Sequence, residues 1–195
     1  MYNNKKLTIN ETFSLAVNNH KENKLEVAKE LYKEVLKKDP THQSSLSNLG
    51  TILHMLGDNQ KAKYFFEKAI SINPTYANAH NNLGTLFEKL NENQNALFSF
   101  EKAIKINSNH IDANFNVGKI FKKLHEYKKA KSFFEKVIQI NSNHIGAHFN
   151  LGFLLHALGE HQKAIDCYKK IIEINPINVD AHNNLAGIFL DLEEY

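Results

Sequence analysis

Asparagine stands at residues 48, 82, 116, 150 and 184, each 34 residues after the last. A side-chain carboxamide is neither an acid nor a nucleophile. It offers two N–H donors and one carbonyl acceptor. A row of them at fixed spacing therefore suits recognition, because each amide can pair with both N–H and C=O of an extended peptide.

Groups with sharper chemistry are scattered. The chain has eleven histidines and one cysteine, Cys167. His144 and His148 are four residues apart, which suits a metal pair on one helix, but His144 falls in a predicted turn. His54 and His156 lie three repeats apart, and His110 and His144 about 10 Å apart by helix spacing, too far to share an ion. Cys167 has no second cysteine and no activating neighbour in the pattern, so it reads as a structural thiol. No phosphate-binding loop, HExxH or GxSxG pattern occurs, and Glu193-Glu194 reads as solvated surface. The expectation is no catalytic residue, no metal and no cofactor within these residues.

The elements that position the asparagines follow from their period. A fixed period of 34 residues indicates stacked copies of one supersecondary unit. With each asparagine set at position 6, the repeats are 9–42, 43–76, 77–110, 111–144 and 145–178, with a partial one at 179–195. Two helices fit in each. His80, Leu83, Gly84, Phe87 and Leu90 form one helical stripe, and Ala96, Phe100, Ala103, Ile104 and Ile106 a second. Residues 91–95 are polar and break the first helix. Asp39-Pro40, Asn73-Pro74 and Asn175-Pro176 close repeats, since proline cannot continue a helix. Position 8 carries Gly50, Gly84, Gly118 and Gly152. Each costs roughly 1 kcal/mol against alanine inside a helix, so a close approach must offset it. Position 20 is Ala28, Ala62, Ala96, Ala130 and Ala164, and position 24 is Tyr32, Phe66, Phe100, Phe134 and Tyr168.

Net charge is +3, and every basic residue is lysine. The missing arginine fork argues against nucleic-acid recognition. The lone cysteine points to a reducing compartment. Met1-Tyr2-Asn3-Asn4-Lys5-Lys6 leads into no apolar run, and no stretch reaches a membrane span of about 18 apolar residues. The expectation is a cytoplasmic protein that meets no membrane, with a disordered flank over residues 1–8.

The pattern resembles the tetratricopeptide repeat across residues 9–195. The shared features are Leu/Gly at positions 7 and 8, Ala at 20, an aromatic at 24, and proline at 32. Ser108 and Ser142 replace proline, and the first repeat carries Ala16 at position 8 and Asn19 at position 11, as a worn N-terminal cap would. The resemblance implies an all-α, right-handed superhelical solenoid of antiparallel helix pairs, with five full repeats and the first helix of a sixth. First helices would line a concave groove. Because the sixth repeat stops at Tyr195, the chain is expected to be a fragment of a longer protein.

In that family the groove is lined by positions 2, 5, 6, 9, 12 and 13. Asn48, Asn82, Asn116, Asn150 and Asn184 then form a ladder, which resembles the groove of the O-linked N-acetylglucosamine transferase repeat domain. Phe115, Phe149 and Phe153 would give apolar anchors with Lys119 and Lys122 as a basic rim; Phe115 and Phe149 could equally pack between repeats. Five hydrogen bonds at about 1 kcal/mol each barely meet an association cost of about 4–15 kcal/mol, so the ladder needs those anchors. The basic clamp of the chaperone-binding repeats is absent: position 2 holds Asn10, Ser44, Asn78, Asp112, Gly146 and Asp180.

The resulting expectation is a scaffold that holds a protein or peptide segment in its groove. The alternative is the substrate-recruiting arm of a glycosyltransferase or other transferase whose catalytic domain lies beyond residue 195. Ile188, Phe189 and Leu192 on the last helix lack a partner in the pattern, which suggests self-association.

Overall fold

The computed structural model describes residues 7–193. Among them are eleven helices and no strand: α1 (Ile9–Lys21), α2 (Leu25–Lys38), α3 (Gln43–Met55), α4 (Asn59–Ile72), α5 (Ala77–Lys89), α6 (Asn93–Ile106), α7 (Ile111–Lys123), α8 (Tyr127–Ile140), α9 (Ile145–Ala157), α10 (His161–Ile174) and α11 (Val179–Glu193). The chain forms two compact halves, Met1–Asn107 and Ser108–Tyr195. The N-terminal half stacks the hairpins α1/α2, α3/α4 and α5/α6; the C-terminal half stacks α7/α8, α9/α10 and then α11.

Each hairpin turn is built the same way. Asn23, Gly57, Asn91, His125 and Gly159, all at position 15, hold left-handed φ values of 58°, 87°, 61°, 59° and 76°. The next backbone N–H reaches back into the helix, as from Asp58 to the Leu53 carbonyl (2.8 Å) and from Glu126 to that of Phe121 (2.9 Å). This is the Schellman ending, which satisfies carbonyls that the helix leaves free.

The turns between hairpins use side chains. Asp39, Asn73 and Asn141 accept the N–H two residues on, at 3.0, 3.0 and 3.1 Å. Position 34 then caps the following helix. His42, His110 and His144 accept backbone N–H at Nδ1 from Ser45, Ala113 and Ala147 (3.2, 3.3 and 3.0 Å), and Asn178 accepts from Ala181 (2.9 Å). An accepting Nδ1 requires a neutral imidazole with its proton on Nε2.

The glycines of position 8 meet the rings of position 24. A Cβ on Gly50 would lie 2.7 Å from Phe66 Cε1, one on Gly84 2.6 Å from Phe100 Cε1, and one on Gly118 2.8 Å from Phe134 Cε1. The rings and the position-20 alanines are fully buried. That close approach offsets the helix cost of glycine.

Of the flank 1–8, residues 1–6 lie outside the described residues. Thr8 caps α1: its hydroxyl accepts from Glu11 N–H at 3.2 Å and its own N–H donates to the Glu11 carboxylate at 2.8 Å. The Leu7 carbonyl takes a 2.8 Å bond from Lys38 Nζ. At the other end, residues 194 and 195 lie outside the described residues.

Candidate functional site

The first helices α3 and α5 present an amide and hydroxyl face. Asn82 Nδ2 donates to Ser47 Oγ at 3.0 Å and Thr51 Oγ1 at 3.3 Å, both one repeat back. Asn48 Nδ2 donates to the Tyr32 hydroxyl at 3.1 Å. The position-5 neighbour, buried Asn81, reaches Asn82 Oδ1 at 3.5 Å. Two rungs of the ladder are thus tied to the preceding hairpin, and each spends an N–H in doing so. Beside this face His54, Thr85, Glu88, Lys89 and Asn91 line a polar hollow of about 390 Å³.

The first helices of the C-terminal half present aromatic rings and lysines. Asn150 Nδ2 donates to the Gly146 carbonyl of its own helix at 2.7 Å, and its Oδ1 accepts Lys122 Nζ at 2.5 Å. Lys122 Nζ also stands 5.2 Å over the Phe153 ring, and Lys119 Nζ 5.9 Å over Phe115. Burial, with Lys119 nearby, holds the Lys122 ammonium below its ordinary pKa. Asn184 donates to the Asp180 carbonyl at 2.7 Å. Asn116 is half-buried on α7.

The three phenylalanines separate. Phe115 and Phe149 are half-buried and packed against the core of this half. Phe115 lies 5.7 Å from Phe134 and 4.9 Å from His144, and Phe149 meets Tyr168 edge-on at 5.9 Å. Phe153 is 45 % exposed. The structure therefore brings Lys122, Asn150 and Phe153 together, while Phe115 and Phe149 mainly support the ground beneath them. Sequence reasoning had no signal for the Lys122–Asn150 contact, because the two stand 28 residues apart on different helices.

The histidines are engaged in the framework. At position 4, His80, His148 and His182 place Nε2 at 3.0, 2.9 and 3.0 Å from the carbonyls of Pro74, Ser142 and Pro176. His144, with its helix-capping role, and His148 thus face separate backbone groups. Among the described residues no group of three or more His, Cys, Asp or Glu is placed to hold a metal ion. Burial pushes the Cys167 thiol up to about 11, so it is protonated at neutral pH. No helix among the described residues is long and apolar enough to cross a membrane. A further concavity, missed in the sequence, lies on the second helices α4 and α6 over α5. It measures about 540 Å³, and its wall includes Phe87 and Phe98.

Comparison with known proteins adds a family. Models described as tetratricopeptide repeat match residues 44–76, 77–110 and 146–178, and a second model so described matches 111–144. No curated protein matches the chain. Among solved structures, MamA is 27% identical, with 83% of this chain and 94% of that one covered and a TM-score of 0.68. YrrB, described as "a TPR protein with an unusual peptide-binding site", is 25% identical over 89% of each chain with a TM-score of 0.64. PilF of Pseudomonas aeruginosa is 17% identical, covers 95% of this chain and 90% of its own, and has a TM-score of 0.82, a likeness of fold alone.

Proposed function

Since this chain belongs to the tetratricopeptide repeat family, we propose that it is a binding scaffold that holds a peptide or partner segment along its first helices. One observation carries the reading. Phe153 stays 45 % exposed beside a half-buried lysine, although the other groove phenylalanines pack into the core. An aromatic ring left open next to a desolvated cation is the kind of anchor that contributes most at interfaces. The peptide-binding site ascribed to YrrB, a relative of the same family, lends support.

The asparagines take a smaller part than a free ladder would. Asn48, Asn82, Asn150 and Asn184 each commit an N–H within the protein. Their remaining N–H and carbonyl capacity can align a bound strand, with net gains of about 1 kcal/mol per bond. Affinity then rests on Phe153 and the lysines, so binding should be micromolar in class. A random peptide library panned against the chain, followed by amide-shift mapping of the enriched peptides, tests the reading. Shifts should cluster on α3, α5, α7 and α9. Failure to enrich any peptide, or shifts confined to the second helices, would overturn it.

A second reading keeps the same face. The asparagine register, similar to that of the O-linked N-acetylglucosamine transferase repeats, fits an arm that recruits substrate for a transferase domain further along a longer chain. The internal commitments of the amides give it less weight. On α11 Ile188 is fully buried in the core of its half, against the expectation that it lacks a partner, while Phe189, Leu190 and Leu192 are exposed, and this exposure supports self-association. Light scattering that shows a monomer at high concentration would count against that.

A further inference from the structure

Most lysines whose ammonium contacts the structure defines are paired with carboxylates, and Lys131 is the instructive case. Its side chain is 23% exposed and its Nζ lies 2.6 Å from a Glu160 carboxylate oxygen. Lys122 is also half-buried, but its ammonium faces a neutral amide oxygen, Asn150 Oδ1, and the face of the Phe153 ring. An amide oxygen and a ring face only partly replace the water that a buried ammonium gives up. An ammonium has three N–H donors; Asn150 takes one. Lys119 on the same helix adds positive potential at this point.

We infer that Lys122, Asn150 and Phe153 form a receptor for a carboxylate paired with an apolar side chain, as presented by an acidic residue and an aromatic or aliphatic residue two positions on in an extended peptide. The spacing follows from geometry. Lys122 Nζ and the Phe153 centroid are 5.2 Å apart, and side chains on one face of a strand repeat every two residues, about 6.6 Å. The carboxylate completes the coordination of Lys122 while the apolar group packs on the open side of Phe153. Asn150 holds the ammonium in place, since its own Nδ2 is fixed to the Gly146 carbonyl.

This assignment rests on the peptide-binding reading of the first helices, and its test is separate. Amide spectra of the full chain are recorded during titration with N-acetyl-Asp-Gly-Phe-amide and with N-acetyl-Asn-Gly-Phe-amide. The Asp probe is expected to shift α7 and α9 around Lys122 and Phe153, and the Asn probe to bind about tenfold more weakly, as befits a lost charge-assisted bond. Lys122→Met should abolish the difference. Lys128→Met, which removes the same charge from an exposed site on α8, should keep it. Lys122→Gln serves if the methionine variant fails to fold. Equal affinity for the two probes, no binding of either, or an equal loss in the Lys128 variant overturns the inference. If library peptides still map to the first helices, the broader reading survives that result; an empty library removes it.

Discussion

The two halves build their first-helix faces from different chemistry on one framework. In the N-terminal half, Ser47, Thr51, Asn81 and Asn82 satisfy one another in a polar seam. In the C-terminal half, the equivalent ground is held by rings: Phe115 on Phe134 and Phe149 on Tyr168. Hydrogen bonds in the first seam are directional and worth about 1 kcal/mol each; the rings in the second bury apolar area and leave Phe153 open. The repeats thus keep the alanine of position 20 and the ring of position 24 fixed while position 5, which packs beside them, varies from Ser47 and Asn81 to Phe115 and Phe149.

The largest test of this contrast is Phe149→Ala. It should destabilise the chain by about 2–3 kcal/mol in chemical denaturation, because the ring supports Tyr168 and the core. Phe153→Ala should stay within about 0.5 kcal/mol and act on binding alone. If both variants cost the same, the division between supporting and open rings is wrong. Phe153, not Phe149, is therefore the fair probe of the anchor.

Next in size is Gly84→Ala. Its Cβ would sit 2.6 Å from the buried Phe100 ring, and overpacking of about 1–3 kcal/mol should outweigh the helix gain of up to about 1 kcal/mol. Gly187 on α11 has nothing within 4 Å of its added Cβ, so Gly187→Ala should stabilise by up to about 1 kcal/mol. Thermal melts read both signs.

Asn82→Ala strips the donor from Ser47 and Thr51 and should cost about 1 kcal/mol. Asn184→Ala, half-buried and bonded to the Asp180 carbonyl of its own helix, should cost almost nothing. Equal effects would dissolve the idea of a seam specific to the N-terminal half.

The pH response is the mildest contrast. Burial holds His20 and His110 below the ordinary imidazole value. The unfolded chain then takes up protons first, so this stability is complete above the unfolded pKa of about 6.5 and declines as pH falls below it. The His110 cap on α7 points the same way, since a protonated imidazole cannot accept at Nδ1 and is repelled by a helix N-terminus. Protection factors of the α7 amides, with the intrinsic exchange rate at each pH divided out, should therefore fall between pH 7.5 and 5.5. A flat profile, or stability that rises on acidification, would refute this.

Much of this architecture is legible in the sequence because packing recurs locally. Leucine at position 7, glycine at 8, alanine at 20 and a ring at 24 fix two amphipathic helices and their close approach without reference to anything distant. The left-handed residue at position 15 was less visible, since Asn23, Gly57, Asn91, His125 and Gly159 share a backbone conformation but no single residue type. The abundance of histidine was also opaque. Only the folded chain shows that position 34 caps helices and position 4 holds a turn carbonyl.

The sequence by itself determined the helix pairs and the residues of the core, because these follow from a periodicity of 34 residues and from side-chain size, while the break placed at residues 91–95 is shorter in the structure, where α6 begins at Asn93. The tertiary structure alone decided which candidate binding groups remain available. Asn82 meets Ser47 from 35 residues away, and Lys122 meets Asn150 from 28. Whether an amide is already hydrogen-bonded, or a lysine already paired, depends on neighbours brought together by stacking. No local pattern records that.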